Sequence, residues 1–151
     1  MNRNKYWEDF KVGEQFISNG RQMTESDIRF LIGCAGGSHP LHTDPIFCAK
    51  RPDVGKPILQ GSLVLGVVDE FFFESVCPGN EVLSMVNGYE KIRFIKPIYE
   101  NDVLYTKFEI IETKEYDDEF GSLTCNATVY NQDDEVVTFA VQNYLVAKKF
   151  K

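Results

Sequence analysis

The stretch that decides the fold is SLVLGVVDEFFFES, residues 62–75. If it forms a helix, apolar side chains occupy nearly every face of that helix. Such a helix cannot lie on a surface and must be enclosed by other elements. We therefore expect a long central helix that the rest of the chain wraps around.

The second half of the chain supplies the expected wrapper. Four segments alternate in polarity or run through β-branched and aromatic residues, and turn residues separate them, which is typical of antiparallel strands. The segment VGEQFISNG, residues 12–20, predicts one further edge strand. The four segments are EVLSMVNGYEKIRFI (81–95), DVLYTKFEIIE (102–112), SLTCNATVYN (122–131) and EVVTFAVQNYLVAKK (135–149).

Two shorter helices are predicted before the central one. Thr24 can cap a helix that Gly36-Gly37 ends, since apolar residues recur at helical spacing between them. Asp44 followed by Pro45 is typical of a cap and a first-turn proline, so a second short helix is expected, ending at Arg51-Pro52. The periodic apolar residues of the first helix are Ile28, Leu31, Ile32 and Ala35.

Length and charge narrow the class of protein. A chain of 151 residues suits a single domain spanning 1–151, and a net charge of -7 argues against a nucleic-acid surface and against anionic membranes. The longest near-apolar stretch, Leu63 to Phe73, is interrupted by charged residues, and no signal-peptide pattern opens the chain. We expect a cytoplasmic protein without a membrane segment.

The four cysteines show no CxxC spacing. We expect reduced thiols that serve as small apolar residues, with no disulfide and no zinc cluster. Cys34 falls on or beside the apolar stripe of the first helix, so burial is expected for it.

Both histidines of the chain lie in GGSHPLHTD, residues 36–44. Their HxxH spacing occurs in metal sites, but a third firm ligand is lacking and Pro40 fits a turn better than a helix face, so we expect no metal. One interpretation is structural: His39 and His42 hydrogen-bond backbone carbonyls in a tight turn between two helices. The other interpretation is a reaction centre.

Three segments in order carry a resemblance to a known family: GGSHPLHTD, ILQGSLVLG (58–66) and EKIRFIKPIYENDVL (90–104). Together they resemble the MaoC-like dehydratases and R-specific enoyl-CoA hydratases of the hot dog fold. The resemblance implies an α+β hot dog domain, with an antiparallel sheet wrapped around a buried central helix and a helical hydratase-type insertion before it. It also implies a homodimer or a dimer of dimers.

The family motif G-D-x-N-P-x-H lies on residues 36–42. It implies that His42 is the catalytic acid/base, that His39 shapes the loop, and that the motif aspartate is replaced by Gly37. The family's second marker lies on Gln60-Gly61-Ser62, where backbone amides at the helix start would hold the thioester oxygen. The substrate-binding residues implied are therefore Gly61, Ser62, Gln60, Gly37 and His39.

The implied reaction is reversible addition of water to an acyl thioester of coenzyme A or of a carrier protein, with no cofactor. Because Gly37 carries no carboxylate, an alternative is a non-catalytic or degenerate thioester binder. A second alternative is a thioesterase that uses Asp69 or Glu70 of the central helix. Asp44 is a further candidate for the missing carboxylate, although its role as a helix cap is the better explanation.

Two further clusters have more than one interpretation. Lys91, Arg93 and Lys96 form either a solvated face or a patch for the phosphates of coenzyme A, and strict alternation would place Lys91 and Arg93 together and Lys96 opposite. The run 71–73, three phenylalanines, favours core and dimer packing over an acyl tunnel.

Overall fold

The computed structural model describes residues 4–79 and 81–149. A short 3-10 turn, Trp7–Asp9, is followed by β1 (Gln15–Ile17) and β2 (Arg21–Gln22). Four helices come next: α1 (Glu25–Cys34), α2 (Pro40–Thr43), α3 (Pro45–Ala49) and α4 (Gly61–Ser75). The remaining strands are β3 (Ser84–Phe94), β4 (Val103–Glu115), β5 (Phe120–Tyr130) and β6 (Val136–Ala147).

The strands form one antiparallel sheet with the order β1-β4-β5-β6-β3, and β2 pairs with β4 beside β1. Three consecutive strands, β4, β5 and β6, therefore build its centre as hairpin neighbours. The last position is taken by β3, which pairs only with β6 among the described residues, so its other side is an open edge.

The central helix α4 lies against this sheet, as predicted. Five of its apolar side chains are buried, and Phe72 stacks on Tyr144 of β6 with ring centroids 3.5 Å apart. Burying side chains of this size stabilises the fold by about 2 kcal/mol each. The buried residues of α4 are Val64, Val67, Val68, Phe71 and Phe72, which confirms a core role for two of the three phenylalanines.

The two predicted short helices are present with the predicted caps. Thr24 accepts a hydrogen bond from the Asp27 amide at the start of α1, and Asp44 accepts from two amides at the start of α3. The expectation of a plain turn between them was wrong, because Pro40–Thr43 forms the one-turn helix α2. Proline is well suited to the first position of a helix, where its missing N–H has no partner to lose.

Two further expectations were wrong for reasons of geometry. Cys34 is exposed, since it lies about 200° around the helix from the buried Ile32 at roughly 100° per residue. The alternation expected at Lys91 and Arg93 is interrupted by a register shift of β3 against β6, where Lys91 takes a positive φ of 51°. Cys48, Cys77 and Cys125 are buried free thiols as predicted.

No helix in residues 4–79 and 81–149 is long and apolar enough to cross a membrane.

Candidate functional site

The imidazole of His42 is anchored by one of its two nitrogens. Nδ1 lies 2.9 Å from the carbonyl oxygen of Ile58, and because a carbonyl can only accept, Nδ1 carries the proton and donates. The neutral ring then has its lone pair on Nε2. Nε2 has no hydrogen-bond partner within the described residues. This tautomer leaves Nε2 available to accept a hydrogen bond or a proton.

The short helix α2 is what places this ring. His39 caps it, with its Nδ1 accepting from the Leu41 amide at 3.2 Å. The carbonyls of the first two residues of α2 also have a neighbour, since the buried Cys48 thiol lies 3.6 Å from the Pro40 oxygen and 3.4 Å from the Leu41 oxygen. Ile58 closes a reciprocal pair by donating its amide to the Leu41 oxygen at 3.3 Å. The backbone around His42 is therefore well determined.

The start of α4 differs from the starts of the other helices. Its N-cap residue makes no side-chain cap bond, and the amides of Gly61 and Ser62 have no acceptor among the residues that the structure describes. These amides point out of the positive end of a 15-residue helix. The other three helices are capped by side chains, namely Thr24, His39 and Asp44.

Gly37 has no room for a side chain. A Cβ at this position would lie 2.8 Å from Cγ2 of Ile32 and 3.2 Å from the Ile32 carbonyl oxygen. Ile32 is buried and β-branched, so it cannot move aside cheaply. The next atom that such a Cβ would meet is Oε1 of Gln60, at 3.4 Å. Gly37 and Gln60 therefore face each other at the candidate site.

Gly61 is packed under an aromatic ring. A Cβ on Gly61 would come within 2.9 Å of the Phe94 ring, although Phe94 itself is 52% exposed. The end of β3 therefore reaches the start of α4. Lys91 and Arg93, which precede Phe94, are exposed and make no ion pair within the described part of the chain, whereas Lys96 binds Glu135 at 2.6 Å.

A polar cavity of about 270 Å³ opens beside His42. Of the residues predicted for the site, only His42 lines it, so the start of α4 lies outside this cavity. Its wall contains both signs of charge, and Arg29 and Glu25 are bonded to each other at 2.7 Å. The other lining residues are Ile28, Thr43, Pro45, Lys56, Pro57 and Glu100. The wall therefore combines charged groups with apolar side chains.

Asp69, the candidate thioesterase carboxylate, is held within the fold. Its Oδ2 accepts from the Tyr89 hydroxyl at 2.5 Å, and its Oδ1 accepts from Gln142 Nε2 at 3.2 Å and lies 3.1 Å from the Tyr144 hydroxyl. Burial raises the pKa of the Asp69 carboxyl, while the two tyrosine hydrogen bonds oppose the shift. Glu70, by contrast, is exposed to solvent.

The structure thus brings together four of the predicted site residues: Gly37, Gln60, Gly61 and Ser62. His42 is tied to the same segment through Ile58, two residues before Gln60, while His39 acts on α2. The contact of Phe94 with Gly61 was not predicted, because it depends on where β3 ends. No group of three or more potential metal-ligating side chains occurs in the part of the chain that the structure describes.

Comparison with known proteins places this geometry in a family. A model of the MaoC like domain matches residues 9–131. A structure of the monoamine oxidase regulatory protein from Archaeoglobus fulgidus is 30% identical, with a TM-score of 0.85 over 97% of this chain and 97% of that one.

Two further proteins are similar over most of their length. The unliganded R-hydratase PhaJ1 from Pseudomonas aeruginosa superposes with a TM-score of 0.78 and 19% identity, covering 97% of this chain and 88% of that one. The uncharacterized protein YdeM of Bacillus subtilis is 27% identical over 132 residues, 84% of this chain and 88% of its own. The architecture, a sheet of six strands against a central helix, is the hot dog fold.

Proposed function

The chain belongs to the MaoC-like domain family, and from that premise we propose that it catalyses the reversible addition of water to a 2-enoyl thioester. One observation carries the proposal. An imidazole with a free Nε2 is anchored to the segment that leads into the uncapped start of α4. Hydration needs a base for water, a proton donor for the α-carbon, and a site for negative charge on the thioester oxygen.

The negative charge is assigned to the start of α4. When water adds to the β-carbon, the electron pair of the double bond moves towards the thioester oxygen and forms an enolate. The free N–H groups of Gly61 and Ser62 are suited to bind that oxygen, and the helix dipole favours the negative charge. Donors of this kind lower the barrier by about 3 kcal/mol each in known enzymes.

The proton transfers are assigned to His42 alone. Nε2 takes one proton from water as its oxygen bonds to the β-carbon, and the resulting imidazolium returns that proton to the α-carbon of the enolate. The ring ends neutral, and the sum of the steps is the addition of one water molecule. One imidazole therefore suffices for proton balance without a carboxylate at residue 37.

The polar cavity beside His42 supports this reaction. Its volume of about 270 Å³ is enough to hold several water molecules. The charged groups on its wall can bind water. A supply of water next to the base is what a hydro-lyase needs.

The proposed substrate is a thioester of coenzyme A or of a carrier protein. Lys91 and Arg93 support the coenzyme A form, because they are exposed cations that make no ion pair with any described residue and lie close in sequence to the ring that covers Gly61. Phosphate groups bind well to such side chains.

We further propose that the working form is a homodimer, or a dimer of dimers, in the cytoplasm. The open edge of β3 exposes apolar side chains, which favours pairing with a second copy. Three buried free thiols fit a reducing compartment. The exposed apolar residues along this edge are Leu83, Met85, Tyr89, Phe94 and Ile95.

A hydration assay with crotonyl-CoA tests the function. Wild type should convert the enoyl thioester to the hydroxyacyl thioester, and His42→Ala should reduce turnover by about 10³-fold, within the range for a general acid/base. Gln15→Leu, at an exposed glutamine of β1 that makes no side-chain hydrogen bond within the described residues, is the control and should equal wild type. Equal rates for His42→Ala and wild type would remove His42 from the mechanism.

The same assay separates the two alternatives. A non-catalytic thioester binder would bind crotonyl-CoA without turnover. The absence of a carboxylate at Gly37 is the reason for this alternative. A thioesterase would release free thiol, and that release would depend on Asp69. The hydrogen bonds from Tyr89 and Gln142 to Asp69 weigh against the thioesterase, because an attacking water would compete with these donors for the carboxylate lone pairs.

A further inference from the structure

We propose that the side-chain amide of Gln60 positions the attacking water, taking the place of the carboxylate that the family motif has at residue 37. This inference rests on the hydration chemistry proposed above. In that chemistry His42 removes a proton from the attacking water. Gln60 is the second group that contacts this water.

The location of Gln60 follows from the contact with Gly37. The nearest polar side-chain atom to a Cβ built on Gly37 is Oε1 of Gln60, 3.4 Å away. A carboxylate on residue 37 would therefore extend into the space that this amide oxygen occupies. Where the family motif has an acid at residue 37, this chain has glycine and presents an acceptor oxygen in the adjoining space from residue 60.

The orientation of the amide is fixed by its other end. Nε2 of Gln60 lies 3.1 Å from Oγ of Ser62, so one end of the amide is engaged within the first turn of α4. Oε1 receives no hydrogen bond within the described residues. A half-buried amide oxygen with both lone pairs open is a ready acceptor for one O–H of a water molecule.

Gln60 also stands beside the two other parts of the site. It directly precedes the amides of Gly61 and Ser62, and it follows by two residues the Ile58 carbonyl that holds His42. A water that donates one O–H to Oε1 of Gln60 and the other to Nε2 of His42 has its oxygen lone pair free for the β-carbon. An amide takes up no proton, so the proton balance given above is unchanged.

The chemistry can be tested by changing the amide while keeping its shape. Gln60→Leu removes the acceptor together with the Nε2 bond to Ser62 Oγ, and turnover should fall by 10-fold to 100-fold with KM within about threefold, since the backbone amides proposed to bind the thioester are kept. Gln15→Leu is the matched control: this glutamine is exposed on β1 and makes no side-chain hydrogen bond in the described part of the chain. Its turnover should equal that of wild type.

A second variant tests whether residue 60 lies near His42, by a readout that does not depend on the stability of the protein. In Gln60→Glu the new carboxylate lies two residues after Ile58, whose carbonyl holds His42, and a negative charge near that ring favours the protonated imidazole. Because only the neutral ring accepts a proton from water, the acid limb of the pH–rate profile should move to higher pH. Circular dichroism and thermal melting of each variant would show that the fold is kept.

Each result has a distinct meaning. If wild type turns over, and Gln60→Leu matches it while the limb of Gln60→Glu stays in place, the role of Gln60 is overturned and the hydratase function stands. If wild type is inactive and Gln60→Glu becomes active, the natural hydratase function fails and the placement of residue 60 beside the water is supported. If neither turns over, both proposals fail.

Discussion

The first turn of α4 and its middle turn differ in whether their polar groups have hydrogen-bond partners. At the first turn, the amides of Gly61 and Ser62 have no acceptor and Oε1 of Gln60 has no donor within the described residues. Two turns later, both oxygens of Asp69 are engaged. Their partners are Tyr89, Gln142 and Tyr144.

This contrast separates a candidate reaction centre from a structural polar cluster. Polar groups that a fold leaves unpaired cost free energy unless a ligand or water satisfies them, so they mark where a ligand is expected. Asp69 instead ties the helix to β3 through Tyr89 and to β6 through Gln142. Both regions are polar and lie on one helix. They differ in whether their hydrogen-bonding groups are already paired within the described part of the fold.

The largest effect that would sharpen the comparison is expected at the first turn. Gly61→Ala inserts a methyl group 2.9 Å from the Phe94 ring, so the ring is expected to be displaced from the proposed thioester site. A shift of about 1 Å at a reacting centre can reduce turnover by about 100-fold, and we expect a loss of that size in the crotonyl-CoA assay.

Gly66→Ala provides the matched control on the same helix. Gly66 is exposed, and a Cβ there would meet no atom within 4 Å. The change should leave turnover intact and raise the free energy of unfolding by about 0.5–1 kcal/mol through helix propensity. Equal losses of turnover in Gly61→Ala and Gly66→Ala would show that the first turn of α4 is no more important for the reaction than the middle of the helix.

At the middle turn, the effect should fall on stability. Asp69→Leu leaves the buried Gln142 amide without an acceptor, which costs about 1–3 kcal/mol of unfolding free energy in urea titration. The folded fraction should keep its turnover within a few-fold. Glu70→Gln, on the exposed neighbour, should change neither quantity. A collapse of turnover in folded Asp69→Leu would instead support the thioesterase alternative.

A smaller effect is expected at the end of β3, in binding and not in turnover. Arg93→Gln removes an unpaired cation, so KM for crotonyl-CoA should rise roughly threefold to tenfold at low salt and less at high salt. KM for crotonyl-pantetheine, which lacks the phosphates, should not change. Lys96→Gln is the control, because Lys96 is already paired with Glu135. A rise in KM for both substrates would argue against a phosphate contact.

The smallest expected effect is a pH dependence of stability at Asp69. Burial raises the pKa of this carboxyl in the folded protein, so the folded state binds more protons than the unfolded state between the ordinary and the raised pKa. Stability therefore falls as pH rises through that window. Because Asp69 is half-buried, solvent screening limits the change to less than about 1 kcal/mol.

Urea titrations of wild type and Asp69→Asn at several pH values would measure this term. Asparagine does not titrate, so the difference in unfolding free energy between the two proteins should shift in favour of wild type as the pH is lowered. A difference that stays constant with pH would show that the Asp69 carboxyl has the same pKa in both states.

Local signals in the sequence predicted much of the fold. The caps Thr24 and Asp44 and the all-round apolar pattern of residues 62–75 each act within one turn of helix, and the structure confirms the helices they indicate. The register shifts in β3 depend on β6, nearly fifty residues later, and no local pattern reports them.

The sequence predicted which residues belong to the candidate site better than it predicted how they are arranged. The residue types at Gly37, His42 and Gln60 can be read from the motifs, but the contact between Gly37 and Gln60 joins two segments that are distant in sequence. The apolar residues around Cys34 in the sequence favour burial. Its angle around α1 relative to the buried Ile32 instead places Cys34 on the exposed side of the helix.

The tight contact between Gly37 and Ile32 has a consequence for how this chain can change over generations. A single substitution to aspartate at residue 37 meets the Ile32 methyl group, so it is expected to harm folding before it can improve turnover. Ile32→Ala would have to come first or together with it, and alone that change leaves a cavity in the core. The two positions are therefore expected to be epistatic. In contrast, a single substitution at Gln60 introduces a carboxylate without crossing that barrier.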